Sequence, residues 1–339
     1  MNPVFILGIE SSCDDTSIAV SRDSEILSNT TISQWIHIKY GGVVPEAASR
    51  LHVESIVSLT EEALQLAGIT KNQLHAIAVT RGPGLIGSLL VGLSFAKALS
   101  LSLNIPLIEV NHLEAHIHSL FISNVPAFPL LCMTVSGGHT QLILLNSKND
   151  YQILGQTLDD AAGEAFDKTG KLLGLDYPAG AQMDQLAIGD KFKFKFPIAQ
   201  IPGYNFSFSG LKTAVLYFLR ESIKSDPDFI KNNLPDLCAS IQHTIVETLI
   251  QKLKKAAVAY KVNSIGIAGG VSANSYFRSE LNNLCQLNEW TLYLPKLTYC
   301  TDNGAMIAIT GYHKYLKQLF SEDNITPLAR YPLISTQLK

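Results

Sequence analysis

Two histidines four residues apart, His112 and His116 in His112-Leu113-Glu114-Ala115-His116, form a pair whose spacing permits chemistry. On a helix, positions four apart lie ~40° apart around the axis and ~6 Å along it, so both imidazoles can grip one ion. The third ligand is expected to be a distant carboxylate at the end of an element. Asp302, in Thr301-Asp302-Asn303-Gly304, immediately precedes an apolar stretch and meets that need; the alternative is that it only caps the helix. Glu114 points away from the pair, so the string is not the H-E-x-x-H of zinc peptidases, and His118 points to another face.

Three glycine-rich turns follow apolar runs: Gly8 to Asp15, Ser136-Gly137-Gly138-His139-Thr140, and Ala268-Gly269-Gly270-Val271-Ser272-Ala273-Asn274. Glycine lets backbone N–H groups surround an anion and neighbouring hydroxyls add donors, which points to a phosphate-bearing ligand. None matches the P-loop or the dinucleotide fingerprint. In the string from Asp159 to Lys168, Asp160, Glu164 and Asp167 share one face of an expected helix. The string is either a solvated acidic helix start favoured by the macrodipole or the source of a carboxylate that grips ribose hydroxyls. Lys191-Phe192-Lys193-Phe194-Lys195-Phe196 alternates strictly and predicts a strand with one wet and one buried face. Phe206-Ser207-Phe208-Ser209-Gly210-Leu211-Lys212-Thr213 is unusual in composition, and no role follows from its residues.

The elements that must hold these groups read as α/β. Val4–Ile9 is a continuous apolar run, as expected of a strand buried on both faces. Ser17–Val20 and Glu25–Thr31 are the next two strands, joined by the polar turn at Asp23. A helix from Val53 to Ala67, a strand at His75–Val79, an apolar helix from Leu85 and a strand at Leu107–Val110 complete the first half. Leu85 to Ala96 falls short of the ~20 residues of a membrane span, so a helix buried between two layers is expected. The second half restarts with strands at Leu130–Ser136, Gln141–Leu145 and Tyr151–Leu154, followed much later by Ser264–Ala268 and Thr291–Leu294, and ends with a helix from Asn303 to Phe320. Two halves that each open with a three-stranded meander suggest an internal duplication and two α/β lobes with a ligand cleft between them. The boundaries expected are 1–125 and 126–339, with the C-terminal helix free to pack back on the first lobe.

Composition narrows the function classes. With 47% hydrophobic and 16% charged residues the 339-residue chain can bury large cores, which excludes a disordered protein. A formal net charge of -3 gives no global nucleic-acid signature, so any RNA must be held by local patches or by partners. Five scattered cysteines without a C-x-x-C pair argue against a disulfide framework and for a reducing cytoplasm. The N-terminus lacks a basic region and meets Glu10 early, unlike a signal peptide.

Together these strings resemble one family, the tRNA N6-adenosine threonylcarbamoyltransferases, formerly labelled glycoproteases. The resemblance runs through Gly8–Thr16, Tyr40–Arg50, His112–His116, Val135–Gln141, Asp159–Tyr177, Phe206–Thr213, Ala268–Asn274 and Cys300–Ala308. It implies the duplicated actin/Hsp70/sugar-kinase fold and transfer of threonylcarbamoyl from its adenylate to an adenosine of tRNA. It also implies one divalent metal, Fe2+ in preference to Zn2+, on His112, His116 and Asp302. The adenylate is then expected on Thr134, Val135, Ser136, Gly137, Gly138, Asp167, Gly180, Asp184 and Asn274, with His139 in reach of ligand or metal. By the same resemblance the partners are tRNA, a smaller paralogue of the same fold and a P-loop ATPase, with no membrane. The sequence departs from the family pattern at Ser11, Asn111, Ala115 and Ala179, all small changes. An ATP-dependent kinase or regulatory ATPase of the same fold is the alternative, although a kinase holds magnesium with carboxylates and phosphates instead of two histidines.

Overall fold

A computed structural model of the protein describes residues 2–122, 124–148 and 150–333. The chain forms two compact units, one running up to Val125 and resuming at Pro295, the other spanning Pro126–Leu294.

The first unit opens with the meander β1 (Phe5–Glu10), β2 (Asp15–Arg22) and β3 (Glu25–Ser33). There follow α1 (Ile36–Tyr40), α2 (Pro45–Ala67), β4 (Ala76–Gly82), α3 (Ile86–Leu103), β5 (Leu107–Asn111) and α4 (His112–His118). Its sheet has the order β3-β2-β1-β4-β5, with β1 antiparallel to β2 and parallel to β4. Leu7, Ile9, Ile18 and Val20 pack on Ile56, Leu59 and Ala63 of α2 and on Leu93 and Ala96 of α3. Ile6 and Ala78 belong to a second cluster that includes Ala115, Met306 and Ile307. Because successive side chains of β1 alternate between two buried faces, the strand reads as one apolar run. Burying each such Leu or Ile contributes about 1.5–3 kcal/mol relative to exposure.

The second unit repeats the plan with β6 (Leu130–Val135), β7 (Thr140–Ser147) and β8 (Asp150–Gln156). Four helices come next: α5 (Ala162–Leu172), α6 (Ala179–Leu186), α7 (Ser209–Ser225) and α8 (Phe229–Tyr260). Then come β9 (Ser264–Ala268), α9 (Ser275–Leu287) and β10 (Thr291–Tyr293). The order is β10-β9-β6-β7-β8, with β6 antiparallel to β7 and parallel to β9. This reproduces the first sheet strand for strand, so the duplication expected from the two meanders is present in the topology. The core joins Leu131, Met133, Ile265 and Ile267 to Phe166, Ile241, Ile245 and Phe277. The chain then returns to the first unit with α10 (Gly304–Tyr315).

Three expectations are corrected. The helix at Leu85 is longer than expected and is not enclosed by two layers. By length and composition α3 could cross a membrane, but Ser88, Leu89, Gly92, Leu93 and Ala96 face the core while Ile86, Leu90 and Leu101 are exposed. Lys191–Phe196 is not a strand but a run of turns and extended chain. Two of its three lysines find side-chain partners instead of a ladder: Lys191 donates to Tyr276 Oη at 3.0 Å, and Lys193 to Asp236 Oδ2 at 2.6 Å. Phe194 meanwhile packs its ring on Phe218 and Phe229. The C-terminal helix ends at Tyr315, short of Phe320.

Candidate metal centre and ligand loops

Asn111 ends β5 and caps α4, its Oδ1 accepting from the N–H groups of Leu113 at 2.9 Å and Glu114 at 3.3 Å. The cap starts the helix immediately after the strand and leaves His112 and His116 on one face, rings 4.6 Å apart and edge to face. Asp302 Oδ1 lies 3.1 Å from His116 Nε2 and 3.4 Å from His112 Nε2. One ligand atom from each of the three falls within 4.8 Å of the others, as a single ion requires. Asp302 is not the helix cap: Asn303 is, its Oδ1 accepting from Met306 N at 2.9 Å. The capping alternative is thereby excluded, and Asp302 stands where it could ligate. Glu114 turns away and pairs with Lys314 Nζ at 3.0 Å, and His118 Nδ1 lies 3.1 Å from Thr310 Oγ1.

The sequence reading missed one member of this cluster. Glu10, the last residue of β1, is fully buried with Oε2 3.0 Å from His112 Nδ1. In the metal-free protein, burial alone would lower the His112 imidazole, but the carboxylates of Asp302 and Glu10 outweigh it and hold it well above its ordinary 6.5. Burial likewise opposes ionisation of Asp302 and Glu10, yet the His112 charge and hydrogen bond pull both below their ordinary values. Two imidazoles and a carboxylate suit a divalent transition metal, and with neutral imidazoles the two negative charges of Asp302 and Glu10 balance it. The residues therefore fit the implied ion.

The pH dependence of the metal-free protein follows. The stability contributed by the raised His112 is fully present below 6.5 and is lost as pH rises through its folded value. That of Asp302 and Glu10 holds above their ordinary 3.8 and 4.5 and is lost as pH falls through their lowered values. The thermal midpoint of chelator-treated protein should decline as pH rises above 6.5 and through the raised folded value of His112, and a divalent ion should restore it most at the alkaline end, where proton competition is weakest. A flat profile would show that His112 is not so paired.

The expected adenylate ligands lie in the second unit. Ser136 and His139 close the β6–β7 hairpin: Ser136 N donates to the His139 carbonyl at 2.8 Å and His139 N to Ser136 Oγ at 3.1 Å. Gly137 and Gly138 at its tip are exposed, with open space where a Cβ would stand. Val135 is fully buried, and Thr134 is 2% exposed with an Oγ1 that has no hydrogen bond among the described residues. Asp167 Oδ1 accepts from Ala179 N at 2.8 Å, beside Gly180 at the start of α6. Asp184 accepts from both Ser275 N at 2.9 Å and Ser275 Oγ at 3.0 Å. Asn274 caps α9 through Phe277 N at 2.8 Å while its Nδ2 donates to Gln242 Oε1 at 2.8 Å. Asp160 and Glu164 do not act with Asp167; both clasp Lys168 Nζ, at 2.7 and 2.8 Å. The Phe206–Thr213 segment is explained by Asp159, which accepts from Phe208 N at 2.8 Å and Ser209 Oγ at 2.8 Å while Phe206 and Phe208 sit in the core. Burial would raise the Asp159 carboxyl, but the hydrogen bonds from Ser207, Phe208 and Ser209 bring it below its usual value. The alternation of Phe with Ser was the visible signal: one residue anchors, the next reaches the carboxylate.

Comparison with known proteins places this geometry. The family model described as tRNA N6-adenosine threonylcarbamoyltransferase matches residues 25–309. A protein of that name from Christiangramia forsetii is 54% identical over 97% of this chain and 98% of its own length. Another from Porphyromonas gingivalis is 52% identical over 96% of this chain and 98% of its own. Among solved structures, HypF of T. kodakarensis covers 96% of this chain and 49% of its own with a TM-score of 0.62 at 12% identity. Component A of the (R)-2-hydroxyglutaryl-CoA dehydratase of Acidaminococcus fermentans covers 92% and 99% with a TM-score of 0.54 at 15% identity. These two likenesses are of fold alone and agree with the duplicated α/β class. With relatives this similar over nearly their whole length, the chain belongs to the tRNA N6-adenosine threonylcarbamoyltransferase family.

Proposed function

We propose that the chain transfers threonylcarbamoyl from threonylcarbamoyl-AMP to N6 of the adenosine immediately 3′ of the anticodon in tRNAs reading ANN codons. The observation that carries this reading is the full-length match to relatives of that name. The adenine amino group is a weak nucleophile because its lone pair is delocalised into the ring, so the acyl donor must be activated as a carbamate–phosphate anhydride. N6 attacks the carbamoyl carbon, a C–N bond forms, the C–O bond to phosphate breaks, AMP departs with the electron pair, and N6 gives up a proton.

The N–H groups of Gly137 and Gly138 at the exposed tip of the turn suit the adenylate phosphate and the charge that grows on its oxygens. Thr134, Val135, Asp167, Gly180, Asp184 and Asn274 belong to the same reading as ligands of the rest of the adenylate. Each Asp184 oxygen accepts one bond from Ser275 and keeps a lone pair for a ribose hydroxyl. His139, at the end of the glycine turn, belongs to the same reading as a side chain in reach of the ligand or of the ion. His112, His116 and Asp302 hold one ion, Fe2+ in preference to Zn2+, since two imidazoles and a carboxylate form the usual facial set of non-haem iron. When bound, such an ion supplies Lewis acidity toward an anhydride or phosphate oxygen. The reading includes a cytoplasmic location, a smaller paralogue of the same fold and a P-loop ATPase as partners, and no membrane; the modest net charge agrees with shared RNA binding.

The test is incubation of labelled threonylcarbamoyl-AMP with unmodified tRNA of an ANN-reading species, partners included. Label should appear on the adenosine beside the anticodon and disappear when guanosine replaces it. With active partners, no label on the adenosine would transfer the function to the kinase or ATPase class.

A further inference from the structure

We propose that Glu10 is a positioning residue of the metal centre: its buried carboxylate fixes the tautomer of His112 so that Nε2 is the nitrogen presented to the ion. The inference rests on the metal-centre reading above and adds a residue to it. Glu10 closes β1, a strand paired on both sides, so its backbone is rigid. Its oxygens are fully engaged. Oε1 accepts from Ser12 N at 2.6 Å, and Oε2 accepts from Thr80 Oγ1 at 2.6 Å while lying 3.0 Å from His112 Nδ1. An ionised carboxylate only accepts, so Nδ1 must carry the proton on that side and the opposite nitrogen is left to face Asp302 Oδ1, 3.4 Å away. Ser12 Oγ, 3.2 Å from the same Nδ1, can turn to accept as well. His116 has no such partner: its Nδ1 makes no hydrogen bond among the described residues. One ligand of the pair is thus oriented by an outer carboxylate and the other by its neighbours alone. This is the arrangement by which a second carboxylate raises the basicity of a ligating imidazole.

The competing account is that Glu10 is a structural anion that ties the end of β1 to Ser12 and Thr80. Glutamine separates the two, because it keeps the shape but must turn its NH2 toward one set of donors. The Ser12 N–H cannot reverse, whereas Thr80 and the imidazole can. The amide nitrogen therefore faces His112, which responds by accepting at Nδ1 and carrying its proton on Nε2, and so loses the lone pair the ion needs.

The experiment titrates metal-free wild type and Glu10→Gln with Zn2+ against a chelator, repeats the titration with Co2+ to read the ligand-field bands, and records the thermal midpoint of both metal-free proteins. Glu10→Gln should bind about 10–100-fold more weakly and show altered Co2+ bands, while the metal-free variant, which lacks the Glu10–His112 pair, melts at a lower temperature but still cooperatively. Glu10→Asp, which remains an acceptor, should recover part of the affinity. Unchanged Zn2+ affinity and Co2+ bands in Glu10→Gln would overturn the proposal, whatever happens to the midpoint. A wild type that binds no ion would overturn the metal-centre reading itself and this inference with it.

Discussion

Replacing His112 and His116 together by alanine should strip the protein of its ion and slow threonylcarbamoyl transfer about 10³-fold, equivalent to roughly 4 kcal/mol of transition-state stabilisation. The expectation rests on the convergence of three ligand atoms within 4.8 Å, of which the variant removes two. Asp302 alone cannot hold a divalent ion against water, so the loss should be of stoichiometry as well as affinity. The variant also deprives Glu10 of the His112 ring, its cationic partner in the metal-free form, and a fully buried carboxylate left alone is costly. Protonation of Glu10 at neutral pH would relieve that cost. Ion content by elemental analysis, transfer rate and metal-free thermal midpoint must therefore be read on the same preparation. Lost ion and lost transfer in a folded variant are the expected result. Full turnover by folded, ion-free variant protein would remove the centre from the reaction.

What the sequence showed, and what it hid, divides by the range of the interaction. The strands were legible because β1, β6 and β9 are buried on both faces and β2 and β7 follow as antiparallel partners, so local apolar runs reported them directly. The pair His112 and His116 was legible because helical spacing is local, and Asp302 because it precedes an apolar helix. Glu10 was not. It lies 102 residues from His112 and sits in a glycine-rich string whose pattern suggests only a turn. Its role depends on β1 and β5 both flanking β4 in the sheet. The acidic string from Asp159 misled for a different reason. Its periodicity placed three carboxylates together, but Lys168 takes Asp160 and Glu164 while the N-terminus of α6 takes Asp167. Lys168, within the same string, and the start of α6 thus divided a set that spacing had joined. Lys191–Phe196 failed as a strand because alternation is also satisfied by a chain that pins alternate residues to helices, as Lys193 is pinned to Asp236 and Phe194 to Phe218 and Phe229.

Gly304→Ala should destabilise the first unit by roughly 3 kcal/mol, although alanine in place of a helical glycine would ordinarily add about 1 kcal/mol of stability. Space decides the sign. A Cβ at Gly304 would stand 2.5 Å from Ala19 N and 2.6 Å from the Ile18 carbonyl carbon, both backbone atoms of β2 that cannot swing aside. The facing position on β1 is just as tight, since a Cβ on Gly8 would meet Gly304 O and Ala308 N at 2.4 Å. The start of α10 thus lies backbone to backbone on the sheet, and the sheet caps it: Gly304 N donates to Ser17 Oγ at 2.8 Å and Ala305 N to Asn29 Oδ1 at 3.0 Å. An added methyl must lift the helix start, break those caps and carry with it Asp302, two residues upstream. Stability and ion affinity should therefore fall together, although Gly304 touches neither histidine nor Asp302 through a side chain. The comparison that isolates this coupling is Ile307→Val, which trims the same helix in its core for about 0.5–1.5 kcal/mol without moving its first turn. Denaturant midpoints and Zn2+ titrations of the two variants read the difference. If Gly304→Ala lowers the midpoint but binds Zn2+ as the wild type does, Asp302 is held by its own loop and not by the docking of α10. If affinity falls in Gly304→Ala and not in Ile307→Val, the close approach of α10 to β1 and β2 is what sets the third ligand in place.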